Sequence, residues 1–79
     1  MNESPSQTTL SDEDYERCLQ IAVEYVAQHQ SIRNRQLRVA TGLNYDQVIT
    51  FFNRAIKTNH LIRKGKGSCT HYVKWVNEM

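Results

Sequence analysis

The spacing of the apolar residues changes at Asn59, and this change constrains the fold more than any other feature of the chain. Before Asn59 the apolar residues recur at the three- and four-residue intervals of amphipathic helices. After it, two short stretches rich in β-branched and aromatic residues flank the sequence Gly-Lys-Gly-Ser at 65–68, which is typical of a hairpin. A chain of 79 residues suffices for one domain. The pattern predicts a mostly helical α+β domain with a hairpin after its helices.

The first predicted helix begins after Ser11 and ends near His29. Ser11 is a favourable N-cap, and the acidic residues at 12–14 interact with the positive end of the helix dipole. The side chains on the apolar face of this helix are Tyr15, Cys18, Leu19, Ala22, Val26 and His29. Residues 1–10 are mostly small and polar and cannot bury apolar surface. We therefore expect a disordered N-terminal tail at 1–10, followed by a single domain at 11–76.

A second, shorter helix is predicted at 35–41, after a brief extended segment at 31–32. Asn34 is expected to cap its start. Gly42 is expected to end it in the left-handed conformation that glycine adopts without strain. The side chains expected to face inward from this helix are Leu37 and Ala40.

The third predicted helix begins at a capping box formed by Asn44 and Gln47, and Asn59 ends it. Its apolar stripe comprises Tyr45, Val48, Phe51, Phe52, Ala55 and Ile56. Its opposite face comprises Asp46, Thr50, Asn53, Arg54 and Lys57, with Gln47 at the edge. Strands are predicted at 61–64 and 69–76 on either side of the glycine-rich turn.

Charge is distributed unevenly along the chain. Residues 1–30 include one basic and six acidic residues, whereas residues 31–79 include nine basic and two acidic residues. Segment 47–77 contains no acidic residue. A basic half of this kind indicates an anionic partner such as DNA, although a solvated basic face is the alternative interpretation.

The segment 31–75, SIRNRQLRVATGLNYDQVITFFNRAIKTNHLIRKGKGSCTHYVKW, contains these elements in the order extended segment, helix, glycine turn, helix, hairpin. It resembles the winged-helix (winged helix-turn-helix) DNA-binding domains of small bacterial and archaeal transcription regulators. The resemblance rests on the turn at 37–43 and on residues 59–63, which enter a Gly-Lys-Gly wing, and it covers roughly residues 11–76. It implies a three-helix winged helix-turn-helix with a C-terminal β-hairpin wing. It also implies non-catalytic binding of double-stranded DNA by a transcriptional regulator.

The resemblance implies that the third helix lies in the major groove. The side chains that would reach base edges are Asp46, Gln47 and Thr50, with Asn53 and Arg54 further along the helix. The side chains that would contact phosphates are Arg33, Arg35, Arg38 and Lys57. On the wing, Lys64 and Lys66 would either contact phosphates or reach the minor groove. Gln47 has an alternative role in the capping box, and the charge of Asp46 opposes phosphate binding.

Two other binding roles remain open. The domain could instead be a protein-protein interaction module within a larger complex, with Ile49 at the margin of the contact surface. A DNA-binding module this small usually needs a homodimer for sequence-specific binding. The candidate dimer residues are Tyr15, Val23, Tyr25 and Trp75.

Recognition of left-handed nucleic acid is disfavoured, because Lys57 stands where such winged helices carry tyrosine and the wing has no proline.

Catalysis, cofactor or metal binding and membrane insertion have no support in the sequence. Its cysteines and histidines lack zinc-type spacing, and we find no nucleophile elbow, phosphate loop or carboxylate dyad. No apolar run approaches the ~18 residues that span a bilayer, and the N-terminus does not resemble a signal peptide. The two cysteines lie far apart, which favours free thiols in a reducing compartment. We therefore expect a cytoplasmic protein, or a nuclear one in a eukaryote.

Overall fold

The computed structural model describes residues 10–75. It contains three helices, α1 (Asp12–His29), α2 (Asn34–Thr41) and α3 (Tyr45–Lys57), followed by strands β1 (Leu61–Lys64) and β2 (His71–Lys74). The predicted fold class is confirmed, since an antiparallel hairpin follows three helices in a winged-helix-like layout. The tail predicted at 1–10 lies outside the described residues except for Leu10, which packs against the core.

Helix α1 begins and ends as its sequence predicts. The Asp14 N–H donates to Ser11 Oγ at 3.0 Å, so Ser11 is the N-cap. Gln30 ends the helix in the left-handed conformation, with φ of 76°. Its buried face runs through Tyr15, Cys18, Ala22 and Val26. The prediction was wrong for His29, which is exposed because it lies in the last turn, past the buried stripe.

Helix α2 begins one residue earlier than predicted. Arg33 is its N-cap residue, and the Arg33 N–H donates to Gln36 Oε1 at 2.8 Å. Asn34 is the first helical residue, and its Oδ1 accepts from Arg38 Nε at 2.6 Å instead of capping the helix. Gly42 ends α2 with φ of 80°, as predicted.

The predicted inward position of Ala40 was wrong, because Ala40 is exposed and Leu37 is the buried residue of α2. Helix α2 has only eight residues. A helix of two turns presents few positions to one core face, and here the burial centres on Leu37.

Helix α3 supplies much of the core. Its predicted capping box is confirmed, since the Gln47 N–H donates to Asn44 Oδ1 at 2.7 Å and the Asn44 N–H donates to Gln47 Oε1 at 3.1 Å. The fully buried side chains of α3 are Val48, Phe51, Phe52 and Ala55. Tyr45 was predicted to be part of this stripe but is 55% exposed. It is the first residue of the helix, about one turn before the buried Val48 and about two turns before Phe52.

The hairpin is held against the helices by backbone pairing and by aromatic packing. Ile32 exchanges two backbone hydrogen bonds with Tyr72, at 2.9 and 2.8 Å, so the predicted extended segment at 31–32 forms a bridge beside β2. The Tyr72 ring stacks on Phe52, with ring centroids 3.7 Å apart and planes inclined by 8°. These contacts place the hairpin beside α3.

Strand β2 is shorter than the predicted strand at 69–76. Residues Gly67–Cys69 form a 3₁₀ turn, because Gly65 and Gly67 both adopt positive φ and lengthen the connection between the strands. Cys69, predicted as the first residue of that strand, is therefore in the turn.

Candidate functional site

The outward face of α3 carries the polar residues predicted for it. Asp46, Asn53 and Lys57 are exposed and Thr50 is half-buried, on the side away from the buried stripe. Gln47 is half-buried at the edge, with its side chain in the capping box. Among the residues expected to reach a partner, Thr50, Asn53 and Lys57 thus lie together on one side of one helix.

Arg54 has a different environment from the rest of this face. Its Nη2 lies 2.9 Å from Asp12 Oδ1, and its guanidinium carbon lies 4.1 Å above the centre of the Tyr15 ring. Its side chain is 41% exposed. Arg54 therefore joins α3 to the start of α1, a role that sequence reasoning missed because its partners lie about 40 residues away.

Arg38 is half-buried and also has intramolecular partners, although the sequence suggested an outward side chain. Besides its hydrogen bond to Asn34, its guanidinium carbon lies 5.6 Å from the centre of the Tyr45 ring. This distance lies within the range of cation–π attraction. Arg38 therefore links α2 to the first residue of α3.

A groove of about 370 Å³ runs between the start of α2, the start of α3 and the hairpin. Three exposed arginines line it, namely Arg33 and Arg35 from α2 and its cap, and Arg63 from β1. The structure thus brings two predicted phosphate ligands together with an arginine that sequence reasoning did not select. We refer to this space as the arginine groove.

Arg63 belongs to the groove because of its register in the hairpin. It pairs with Tyr72 across the strands. Burial raises the pKa of the Tyr72 hydroxyl, and the positive charge of Arg63 partly opposes this rise. Residues paired across antiparallel strands project from the same face of the sheet, so Arg63 and Tyr72 both line the hairpin side of the groove. The position of Arg63 in a β-rich stretch was the available sequence signal, but the strand face was not predictable.

The remaining predicted wing residues are exposed on the hairpin. Lys64 ends β1, and Lys66 lies between the two positive-φ glycines. The structure leaves both ammonium groups facing solvent at the hairpin end.

The candidate dimer residues differ in exposure. Tyr15 is buried in the core at 5% exposure, so its proposed place on a dimer surface was wrong. Val23 is 41% exposed, and Tyr25 and Trp75 are half-buried.

Within residues 10–75 no group of three or more histidine, cysteine or acidic side chains is arranged to hold a metal ion. Cys18 and Cys69 are free thiols, as their spacing predicts, and the first is buried while the second is exposed. None of the helices in this range has the length and apolar character needed to cross a bilayer.

Comparison of the chain with protein-family models, curated proteins and solved structures yielded no match.

Proposed function

We propose that this domain binds double-stranded DNA without catalysis, as a small transcriptional regulator. Helix α3 enters the major groove, and the hairpin contacts the adjacent backbone as a wing. Thr50 and Asn53 face base edges, while Lys57, Lys64 and Lys66 contact phosphates. Arg33, Arg35 and Arg63 approach a phosphate from the side of the arginine groove.

The convergence of basic side chains from separate elements carries this proposal. Arg33, Arg35 and Arg63 come from α2 and β1 but line one groove, whose other wall is the start of α3. Five of the six acidic residues of the N-terminal segment lie on α1 instead. An arrangement with bases on one set of elements and acids on another favours an anionic partner of extended shape.

A titration with DNA tests the proposal directly. The ¹⁵N-HSQC spectrum would be recorded with a mixed-sequence duplex of about 16 base pairs, at low and at higher salt. We expect shifts confined to residues 33–38, 44–57 and 63–68 that fade as salt rises. An unchanged spectrum at low salt contradicts DNA binding.

Charge-neutralising variants locate the surface. Lys57→Gln should weaken duplex binding and lower the slope of log affinity against log salt by about one unit, because one phosphate contact is lost. Arg17→Gln is the matched control, since Arg17 is an exposed base on α1 that pairs with Asp14. Equal effects of the two variants would contradict docking through α3. Arg54 is unsuitable for this test because its replacement also removes contacts to α1.

A protein-protein interaction module is the second candidate, and one surface favours it. Val39 is 78% exposed on α2 and lines a depression of about 460 Å³ together with Tyr25 and Ala40. A complex formed there should survive raised salt and should be disrupted by Val39→Ser, whereas duplex binding should be unaffected, because this uncharged variant adds no carboxylate beside Arg35, which also lines the depression.

A further inference from the structure

The arginine groove has the charge of an anion site. Its lining, within the part of the chain that the structure describes, includes three guanidinium groups and no carboxylate. The ion pairs found among residues 10–75 link Arg17 to Asp14 and Arg54 to Asp12, and neither involves a groove arginine. Three like charges around one space repel each other, and a bound anion relieves that repulsion.

The groove also contains hydrogen-bonding groups suited to phosphate oxygens. Guanidinium groups bind phosphate through paired N–H donors. The Tyr72 hydroxyl also belongs to the groove lining, and a phenol can donate its proton to a phosphate oxygen. The Thr70 hydroxyl, by contrast, donates to the Gly67 carbonyl at 2.9 Å and belongs to the turn.

One wall of the groove is aromatic and apolar. Tyr45 and the half-buried Ile49 line it from α3. Tyr45 is more than half exposed, and the Arg38 guanidinium carbon lies 5.6 Å from the centre of its ring. An exposed tyrosine ring beside a basic groove resembles the stacking surfaces on which proteins hold unpaired bases. A ligand that contacts both the Tyr45 ring and the groove arginines has a planar ring and a phosphate.

We propose that the arginine groove binds an unpaired nucleotide of single-stranded nucleic acid, with the base against Tyr45 and the phosphate held by Arg33, Arg35 and Arg63. A paired base within a duplex cannot reach Tyr45, because its faces are covered by its neighbours. Free phosphate would use the arginines but not the ring. The site therefore differs from the duplex-binding surface of α3, although Arg33, Arg35 and Arg63 serve both.

The test is a titration of the whole chain with a thymidine oligonucleotide of four nucleotides at low salt. Binding is followed in ¹⁵N-HSQC spectra. Tyr45→Ala should weaken binding about tenfold, since stacking on an aromatic side chain is lost, whereas Tyr45→Phe should retain affinity. Arg63→Gln should weaken binding and lower the salt slope by about 0.7 units, the value for one phosphate of a single strand. Lys74→Gln is the control, because Lys74 is an exposed base on the same hairpin and is not part of the groove lining.

Two comparisons decide between the possible ligands. Thymidine monophosphate and inorganic phosphate should each bind more weakly than the oligonucleotide, and phosphate binding should be insensitive to Tyr45→Ala. Equal affinity of Tyr45→Ala and the parent chain for the oligonucleotide, with an unchanged melting temperature, would overturn the proposal. So would equally tight binding of inorganic phosphate.

The outcome is separable from that of duplex binding. If the duplex binds through Lys57 but the oligonucleotide does not respond to Tyr45→Ala, the groove proposal fails and the proposed function stands. If the oligonucleotide binds as expected but the duplex leaves α3 unperturbed, the proposed function fails and the groove proposal stands.

Discussion

At the scale of single residues, backbone conformation governs the hairpin connection. Gly65 and Gly67 both have positive φ, at 76° and 60°, but their surroundings differ. A Cβ atom at Gly65 would overlap the backbone carbonyl of Cys69, whereas a Cβ at Gly67 would meet no atom within 4 Å. Two glycines that look equivalent in the sequence therefore have different roles in the turn.

The first prediction compares these two glycines. Gly67→Ala should lower the free energy of unfolding by about 1 kcal/mol, the cost of a left-handed conformation for a residue with a side chain. Gly65→Ala should cost clearly more, about 2 kcal/mol or above, because the backbone at Cys69 must also move. Urea denaturation of both variants measures the difference, and equal losses would contradict the turn geometry described above.

At the scale of elements, Arg54 joins two helices that are distant in sequence. Its ion pair with Asp12 is exposed, since the Asp12 side chain is 90% accessible, and such pairs contribute little. Its position over Tyr15 is better shielded, since Tyr15 is buried. The cation–π contact and the packing of the arginine stem should therefore matter more than the ion pair.

This difference gives the second prediction. Arg54→Ala should destabilise the domain by about 1 kcal/mol, whereas Asp12→Asn should cost less than about 0.5 kcal/mol. Thermal unfolding followed by circular dichroism measures both. Equal losses of stability in the two variants that disappear at high salt would instead show that the ion pair stabilises the domain more than the cation–π contact does.

The helices and strands were largely predictable, because their boundaries depend on residues that are close together in the sequence. Ser11 and the capping box of Asn44 and Gln47 act within three residues. The predicted start of β2 was wrong because a 3₁₀ turn at Gly67–Cys69 replaces the first part of the predicted strand. Propensity alone does not distinguish a glycine-rich turn of four residues from a longer one.

At the scale of the whole molecule, two buried titratable groups link stability to pH. Burial raises the pKa of the Cys18 thiol above its ordinary value of 9.0 and that of the Tyr72 hydroxyl above 10.0. Between the unfolded and folded pKa values the folded state binds more protons than the unfolded state. Their stabilising contribution is therefore complete below about pH 9 and is lost as the pH rises further.

The third prediction follows from the upward direction of both pKa shifts. The free energy of unfolding should show no loss from these two groups between pH 7 and about pH 9, and should fall above it. Cys18→Ala should be less stable throughout, because it leaves space in the core, but its decline should begin nearer to pH 10, where the Tyr72 hydroxyl ionises in the unfolded state. Denaturant titrations across the pH range measure this. A Cys18→Ala profile parallel to that of the parent chain would exclude the thiol as a cause.

The sequence by itself determined the three helices, the hairpin and the polar face of α3, because capping, glycine conformation and apolar spacing act over a few residues. Only the tertiary structure decided which side chains meet. It paired Arg54 with Asp12 and Tyr15, left Tyr45 exposed, and placed Arg63 opposite Arg33 and Arg35. These contacts join residues far apart in the chain, and they depend on how the hairpin and α1 pack against α3. Such packing follows from the fit of whole surfaces, which no local pattern encodes.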